Sequence, residues 1–377
     1  MIEALREFGH EALPFPYANP GRLSLQDEGN ALVQQLAAAR PSAVLDIACW
    51  SYALTRLTVA ARGAMEPIFD AFDIPYAGWL FDHPYNQALN GAAGKRLHAI
   101  YPDLGHPPQV RLVYPQFWPV SEIFAPPAVR PANDRSAPEW SADRDIDVLY
   151  VGNLVPEALQ RIWNTRDERS VENPIDPGFC DALADAVLAE PERSLHLCVE
   201  AAISHARAGT DFHANLRLVE FHLRHTFRHA AVVALGRAGV HLQVVGDGWR
   251  GAALPPAVRV HPATDYQGLF GFAGRAKICL DASTYVDGAN DRVFSYALNR
   301  AVCFTNAAGY LRRAVGAEGG LRFYSMRNLS ELGEQVKALL ARPEALQEAG
   351  ERARSSVLSA HLWRHRVGTV LDAMRLQ

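Results

Sequence analysis

Between residues 147 and 306 the chain carries five short apolar runs, each closing on a glycine or a small polar residue. They are DVLYVGNL (147–154), HLQVVGDGW (241–249), VRVHPA (258–263), AKICLDAS (276–283) and AVCFTN (301–306). Continuous apolar runs this short suit strands buried on both faces, which occur where helices cover a parallel sheet. GLRFYS (320–325) is a sixth candidate, and helices are expected over 291–299, 328–342 and 343–360. The N-terminal third repeats the pattern. An amphipathic helix over 27–40 precedes a strand at 42–49, a helical stretch at 52–72, then strands at 74–84 (IPYAGWLFDHP) and 110–117 (VRLVYPQF). Helix alternating with buried strand gives an α/β chain with parallel sheets.

The segment 125–146 (APPAVRPANDRSAPEWSADRDI) has no period and is rich in Pro, Ala and charge, as interdomain linkers are. The organisation read from the sequence is therefore a domain over 1–124, a linker over 125–146, and a second domain over 147–360. The second domain contains a mostly helical segment at 156–238, and residues 361–377 form a final helix. A length of 377 residues accommodates two such domains.

A net charge of −4 leaves no basic footprint for nucleic acid. Five cysteines without CxxC spacing form neither a disulfide framework nor a zinc site. No apolar stretch approaches the ~18 residues that cross a bilayer, and MIEALREFGHEALPF lacks the apolar core of a signal peptide, so the expected location is cytoplasmic.

In open parallel sheets ligands bind beyond the carboxyl ends of the strands, so the strand tips are the residues to read. Gly246, Asp247, Gly248 and Trp249 follow one apolar run. Two glycines there let backbone N–H groups approach phosphate or a base edge, although a plain tight turn has the same sequence. Lys277 lies in AKICLDAS, and Gly288, Asn290, Asp291 and Arg292 open the next helix, where the N-terminus favours anions. Lys277, Arg292 and nearby N–H groups have the charge to neutralise a diphosphate; equally, Arg292 has Asp291 or Asp287 as surface partners. Asp82 and His83, held by Pro84 at a strand tip, offer a carboxylate and an imidazole for general-base work, or a capped turn. Five histidines (His205, His213, His222, His225, His229) invite a metal, but few carboxylates stand beside them, and a solvated or interdomain helix face is the expectation; no metal site and no cofactor are expected.

From Asp147 to about Arg366 the chain resembles the C-terminal domain of group 1 glycosyltransferases of the GT-B fold, the spore-maturation (CgeB-like) group above all. DVLYVGNL, VVGDGW, AKICLDAS, GANDRVFSYALNRAVCFTNAAGYL and HLWRHR carry the resemblance in order, and GWLFDHP adds to it. It implies two Rossmann-like domains facing a cleft, a nucleotide-sugar donor on the second, an acceptor on the first, and a last helix crossing back. It implies that Gly152, Asn153 and Gly246 to Trp249 face the nucleotide, Lys277 and Arg292 the phosphates, and Asn306 to Tyr310 the sugar or pyrophosphate. Many relatives carry Glu where this chain has Ser295, and that Glu holds the ribose. The implied activity is metal-independent glycosyl transfer from a nucleotide-sugar to a glycan, protein or small molecule. A binding protein without catalysis and a nucleotide-sugar epimerase are the alternatives.

Overall fold

The protein is described from a computed structural model. It describes residues 1–15, 25–47, 55, 57–84, 89, 94–130, 139–140, 144–164, 175–207, 209–306, 309–316 and 318–376. The chain forms two compact units, one of residues 1–127 with 363–377 and the other of residues 128–362. Among the described residues no helix is long and apolar enough to cross a membrane.

The first unit opens with α1 (Ile2–Glu7) and α2 (Leu25–Ala39), then β1 (Val44–Ile47). A hairpin of β2 (Thr58–Ala61) and β3 (Ala64–Pro67) occupies the middle of the expected 52–72 helix, and among the described residues of that stretch the only α-helix is the turn α3 (Ile68–Ala71). The reason is local: Arg62 and Gly63 both have positive φ (47° and 82°), the two-residue turn that joins twisted antiparallel strands. After β4 (Tyr76–Trp79) and β5 (Leu97–Tyr101), the first half of the run at 110–117 proves helical, as the end of α4 (His106–Val113), and the strand follows it as β6 (Ser121–Phe124). The four strands pair in parallel in the order β1-β4-β5-β6.

The second unit holds β7 (Ile146–Val151), α5 (Pro177–Ala189), α6 (Leu195–Ile203) and α7 (Phe212–Arg237). Then come β8 (Leu242–Val245), β9 (Val258–His261), α8 (Tyr266–Arg275), β10 (Ala276–Asp281) and α9 (Asp291–Leu298). It ends with β11 (Val302–Thr305), α10 (Gly309–Ala314), β12 (Arg322–Phe323), α11 (Leu329–Leu340) and α12 (Pro343–Ala360). The parallel order is β12-β11-β10-β7-β8-β9, so the winding reverses between β7 and β10. Successive side chains go to opposite faces: Ile278, Leu280, Val302 and Phe304 pack with α7 and α11, and Cys279 and Cys303 with α9 and α12. Cys180, Cys198, Cys279 and Cys303 are buried thiols; Cys49 lies outside the described residues.

Part of the expected linker is anchored. Arg144 is buried and donates to the carbonyls of Ala276 (2.6 Å) and Asn299 (2.9 Å), beneath the Trp140 ring. Residues 131–138 and 141–143 lie outside the described residues. The last helix, α13 (Trp363–Met374), belongs to the first unit. Trp363 meets Trp79 edge-on at 5.3 Å, Val370 and Met374 cover Ala77 and Ile100, and Arg366 donates to Pro126 O.

Candidate functional site

The winding reversal leaves the carboxyl ends of β7 and β10 side by side with helices departing in opposite directions, which is where open α/β sheets bind ligands. Three backbone segments build this edge. Gly152 N donates to Val245 O, and Leu154 N to Asp247 O, both at 2.9 Å. The Asn153 side chain accepts from Asp247 N at 2.9 Å. Gly246 has φ 155°, and a Cβ there would overlap the Gly152 carbonyl. Gly248 has φ 82° and leaves no room before Leu154 O. The two glycines thus let the loops after β7 and β8 lie back to back. Trp249 faces inward, against the expectation that it meets a nucleotide. It is fully buried, donates to Gly152 O at 2.6 Å and stacks edge-on against Tyr150 at 5.5 Å.

Arg292, in the first turn of α9, reaches this edge. It donates to Val151 O at 3.3 Å and stands 3.7 Å from Asp281. A Cβ on Gly152 would lie 3.2 Å from its Nη1. Burial opposes the Arg292 charge, yet Tyr150, Asp281, Tyr296 and Asp291 around it hold its pKa above the ordinary value. Asp281, a residue the sequence reading passed over, is the hub. It is 1% exposed, accepts from Asn290 Nδ2 (3.1 Å) and Thr305 Oγ1 (3.0 Å), and its carbonyl accepts from the Tyr324 hydroxyl. The signal was present in AKICLDAS, where one carboxylate closes an apolar strand. Asn290 is the N-cap of α9 but makes no capping bond, and the Asp291 carboxylate instead accepts from backbone N–H groups of the first turn. Gly288 is buried in the loop before it. Burial raises the Asp291 carboxyl. Ser295, one turn on, is buried and shares a 3.4 Å hydrogen bond with the Tyr266 hydroxyl of α8.

Other expected contacts lie elsewhere. Lys277 stands at the amino end of β10, four residues before Asp281, and pairs with Asp147 at 2.6 Å. A strand rises ~3.3 Å per residue, so Lys277 is ~13 Å from the ligand edge and cannot share a diphosphate with Arg292. The Asn306 amide is spent on backbone: Oδ1 accepts from Ser283 N and Nδ2 donates to Ser283 O, both at 2.7 Å. It clamps the tips of β10 and β11. Tyr310, in α10, shares a 3.4 Å hydrogen bond with His361.

In the first unit, Asp82 and His83 follow β4 at its carboxyl end. Asp82 is part-exposed, and His83 is buried with its ring 4.8 Å from that of His106. Burial pushes the His106 pKa down to about 3, which keeps that ring neutral. Asp103, after β5, accepts from Gly105 N.

The histidines of α7 are not all on a solvated face. His222 and His225 are buried; His222 bonds Ala158 O at 2.8 Å, and His225 Nδ1 accepts from Val155 N at 3.3 Å. They brace the segment after β7. Among the described residues no group of three His, Cys, Asp or Glu is placed to hold a metal. The same helix carries Arg224, paired bidentately with Glu220, and Arg228, which donates to Asn153 O at 2.9 Å.

Residues 224–372 match a family model described as glycosyl transferase-like. No curated protein matches the chain by sequence. Anabaena HepE, solved with UDP and glucose, is 11% identical over 100% of this chain and 89% of its own, with a TM-score of 0.53. The same protein with UDP-glucose gives 0.51, at 11% identity over 99% and 87%. A TarM mutant of S. aureus, solved with Fondaparinux, alpha-GlcNAc-glycerol and UDP, also gives 0.51, at 12% identity over 92% of this chain and 59% of that one. The fold is GT-B. Its second unit has the β9-β8-β7-β10-β11-β12 order of the dinucleotide-binding sheet, and the family match falls within that unit and α13. The glycosyl transferase-like match thus lies on a chain of GT-B fold.

Proposed function

We propose that this protein moves a sugar from a nucleoside-diphosphate-activated donor to an acceptor hydroxyl or amide, as a member of the CgeB-like group. The observation that carries the reading is Arg292. Its guanidinium lies at the β7/β10 reversal, against Val151 O and Asp281, in the first turn of α9. Cation and helix N-terminus together stabilise the charge that develops on a departing diphosphate, the most direct rate contribution open to such a site. No metal is needed for that role. The nucleotide would lie toward the loops that carry Gly152 and Gly246. Asp82 or His83 would position or deprotonate the acceptor. At Ser295 the ribose meets hydroxyls from Ser295 and Tyr266 in place of a carboxylate.

The test is thermal denaturation with nucleoside diphosphates and nucleotide-sugars, UDP and UDP-glucose first. A ligand at 100 times its dissociation constant adds ~2.7 kcal/mol to the native state. A rise in melting temperature with one nucleotide series, lost in Arg292→Ala, supports the reading. No rise with any nucleotide sinks it.

A further inference from the structure

With Lys277 at the far end of β10, Arg292 would face a diphosphate of two or more negative charges alone, and its own charge is already shared with Asp281. A second cation stands on α7. Arg228 donates through Nη1 to Asn153 O, and its Nε is buried without a hydrogen-bond partner. Among the described residues no carboxylate pairs with it; Glu220 is engaged by Arg224, one turn earlier. Burial presses the Arg228 pKa down, and the neighbouring Arg292 and Arg224 press in the same direction. Three guanidinium groups thus gather at the end of β7, facing the carboxylates of Glu220, Asp281 and Asp291, and burial raises the pKa of Asp291.

Tyr150 is the second observation. It is wholly buried on β7, and its hydroxyl has no hydrogen-bond partner. That hydroxyl lies 3.0 Å from where a Gly152 Cβ would be, next to Arg292 Nη1 at 3.2 Å from the same point. An orphaned hydroxyl costs free energy in a folded interior unless something uses it. A phosphate oxygen accepts from guanidinium and phenol alike.

Building on the donor-site reading, we propose that Arg228 and the Tyr150 hydroxyl form, with Arg292, the anion-binding part of this site, so that its second cation comes from α7 and not from a strand. The ligand chemistry is a pyrophosphate group. In the sequence, Arg228 looks like one of several basic residues on a histidine-rich helix; only the packing of α7 against the end of β7 gives it this role.

The experiment is calorimetric titration of the full chain with inorganic pyrophosphate and, in parallel, with UDP. Arg228→Gln keeps an N–H donor for Asn153 O and removes the charge; pyrophosphate and UDP affinity should each fall at least tenfold, with melting temperature held within ~2 °C. Tyr150→Phe keeps the ring packed against Trp249 and should weaken both ligands ~3–10-fold. Arg237→Gln, exposed at the end of the same helix, should leave both affinities unchanged. Pyrophosphate binding within twofold of wild type in both Arg228→Gln and Tyr150→Phe overturns the inference, as does an equal loss in Arg237→Gln. UDP binding that needs Arg292 but not Arg228 overturns this inference and leaves the donor site standing. A wild-type protein that binds neither ligand removes both.

Discussion

Gly246→Ala should unfold the second unit more easily, and the structure fixes how much. At Gly246 φ is 155°, and a Cβ would overlap the Gly152 carbonyl oxygen, 2.7 Å from its carbon and 3.1 Å from Asn153 N. These are backbone atoms, so no rotamer change relieves the clash. Relief requires the ends of β7 and β8 to part, which threatens the 2.9 Å bonds from Gly152 N to Val245 O and from Asp247 N to Asn153 Oδ1. Backbone strain costs about 1–3 kcal/mol, overpacking about 1–3, and each lost hydrogen bond about 1. The relaxed structure sheds some of each, so the net is about 3–5 kcal/mol. In a unit of this size 1 kcal/mol moves the melting temperature by ~2–4 °C, giving a drop of roughly 6–20 °C by calorimetry or circular dichroism. Gly271→Ala is the matched control. Gly271 lies inside α8, where a Cβ meets nothing within 4 Å, and alanine there should stabilise by up to ~1 kcal/mol. The same added methyl group thus acts in opposite directions at the two glycines. A Gly246→Ala protein that melts within 2 °C of wild type and binds UDP unchanged would refute the back-to-back packing of the two loops.

Four further outcomes follow from the same geometry. Arg292→Ala should weaken UDP binding by about 1.5–3 kcal/mol, the range for a charge-assisted hydrogen bond, and unchanged calorimetric affinity would remove it from the site. Lys277→Ala should leave UDP affinity intact and cost under ~1 kcal/mol of stability, because its pair with Asp147 is part-exposed; a tenfold affinity loss would restore it to the diphosphate. Asp82→Asn and His83→Ala should cut turnover of a nucleotide-sugar while sparing UDP affinity; loss of UDP binding would assign them to the donor. Burial lowers the His225 pKa to about 4 in the folded chain, against ~6.5 when unfolded. The unfolded state therefore takes up the proton first, and stability should fall as pH drops from about 6.5 to 4. His225→Gln should flatten that dependence in denaturant titrations; an unchanged slope would refute it.

The second unit was more legible than the first because its strands are buried on both faces. β7, β8, β10 and β11 read as short, mainly apolar runs, and their polar tips pointed to a candidate ligand edge before any strand order was known. In the first unit the same rule misled at 110–117. VRLVYPQF has a strand's composition, but the Pro107 and Pro108 just ahead of it start a helix, where proline at the first positions is favoured. The hairpin at 58–67 was hidden by Ala-rich composition, although Gly63 marked its turn.

At the site, what the sequence withheld was direction. Lys277 and Asp281 share one strand, and composition alone makes the lysine the better phosphate ligand. Parallel pairing puts the lysine at the closed end and the aspartate at the open one. Asn306 and Trp249 likewise carry ligand-like groups, but their polar atoms are consumed by Ser283 and Gly152 backbone, so they shape the edge without facing outward. The charges left at the open end come from helices α7 and α9, far apart in sequence and joined only by the folded sheet. Arg292 was readable because it opens a helix directly after a strand tip. Arg228 was not, because nothing within α7 says which of its turns meets β7. A search for strand-tip cations therefore finds Arg292, and Arg228 enters the candidate site only when buried polar atoms without partners are read together.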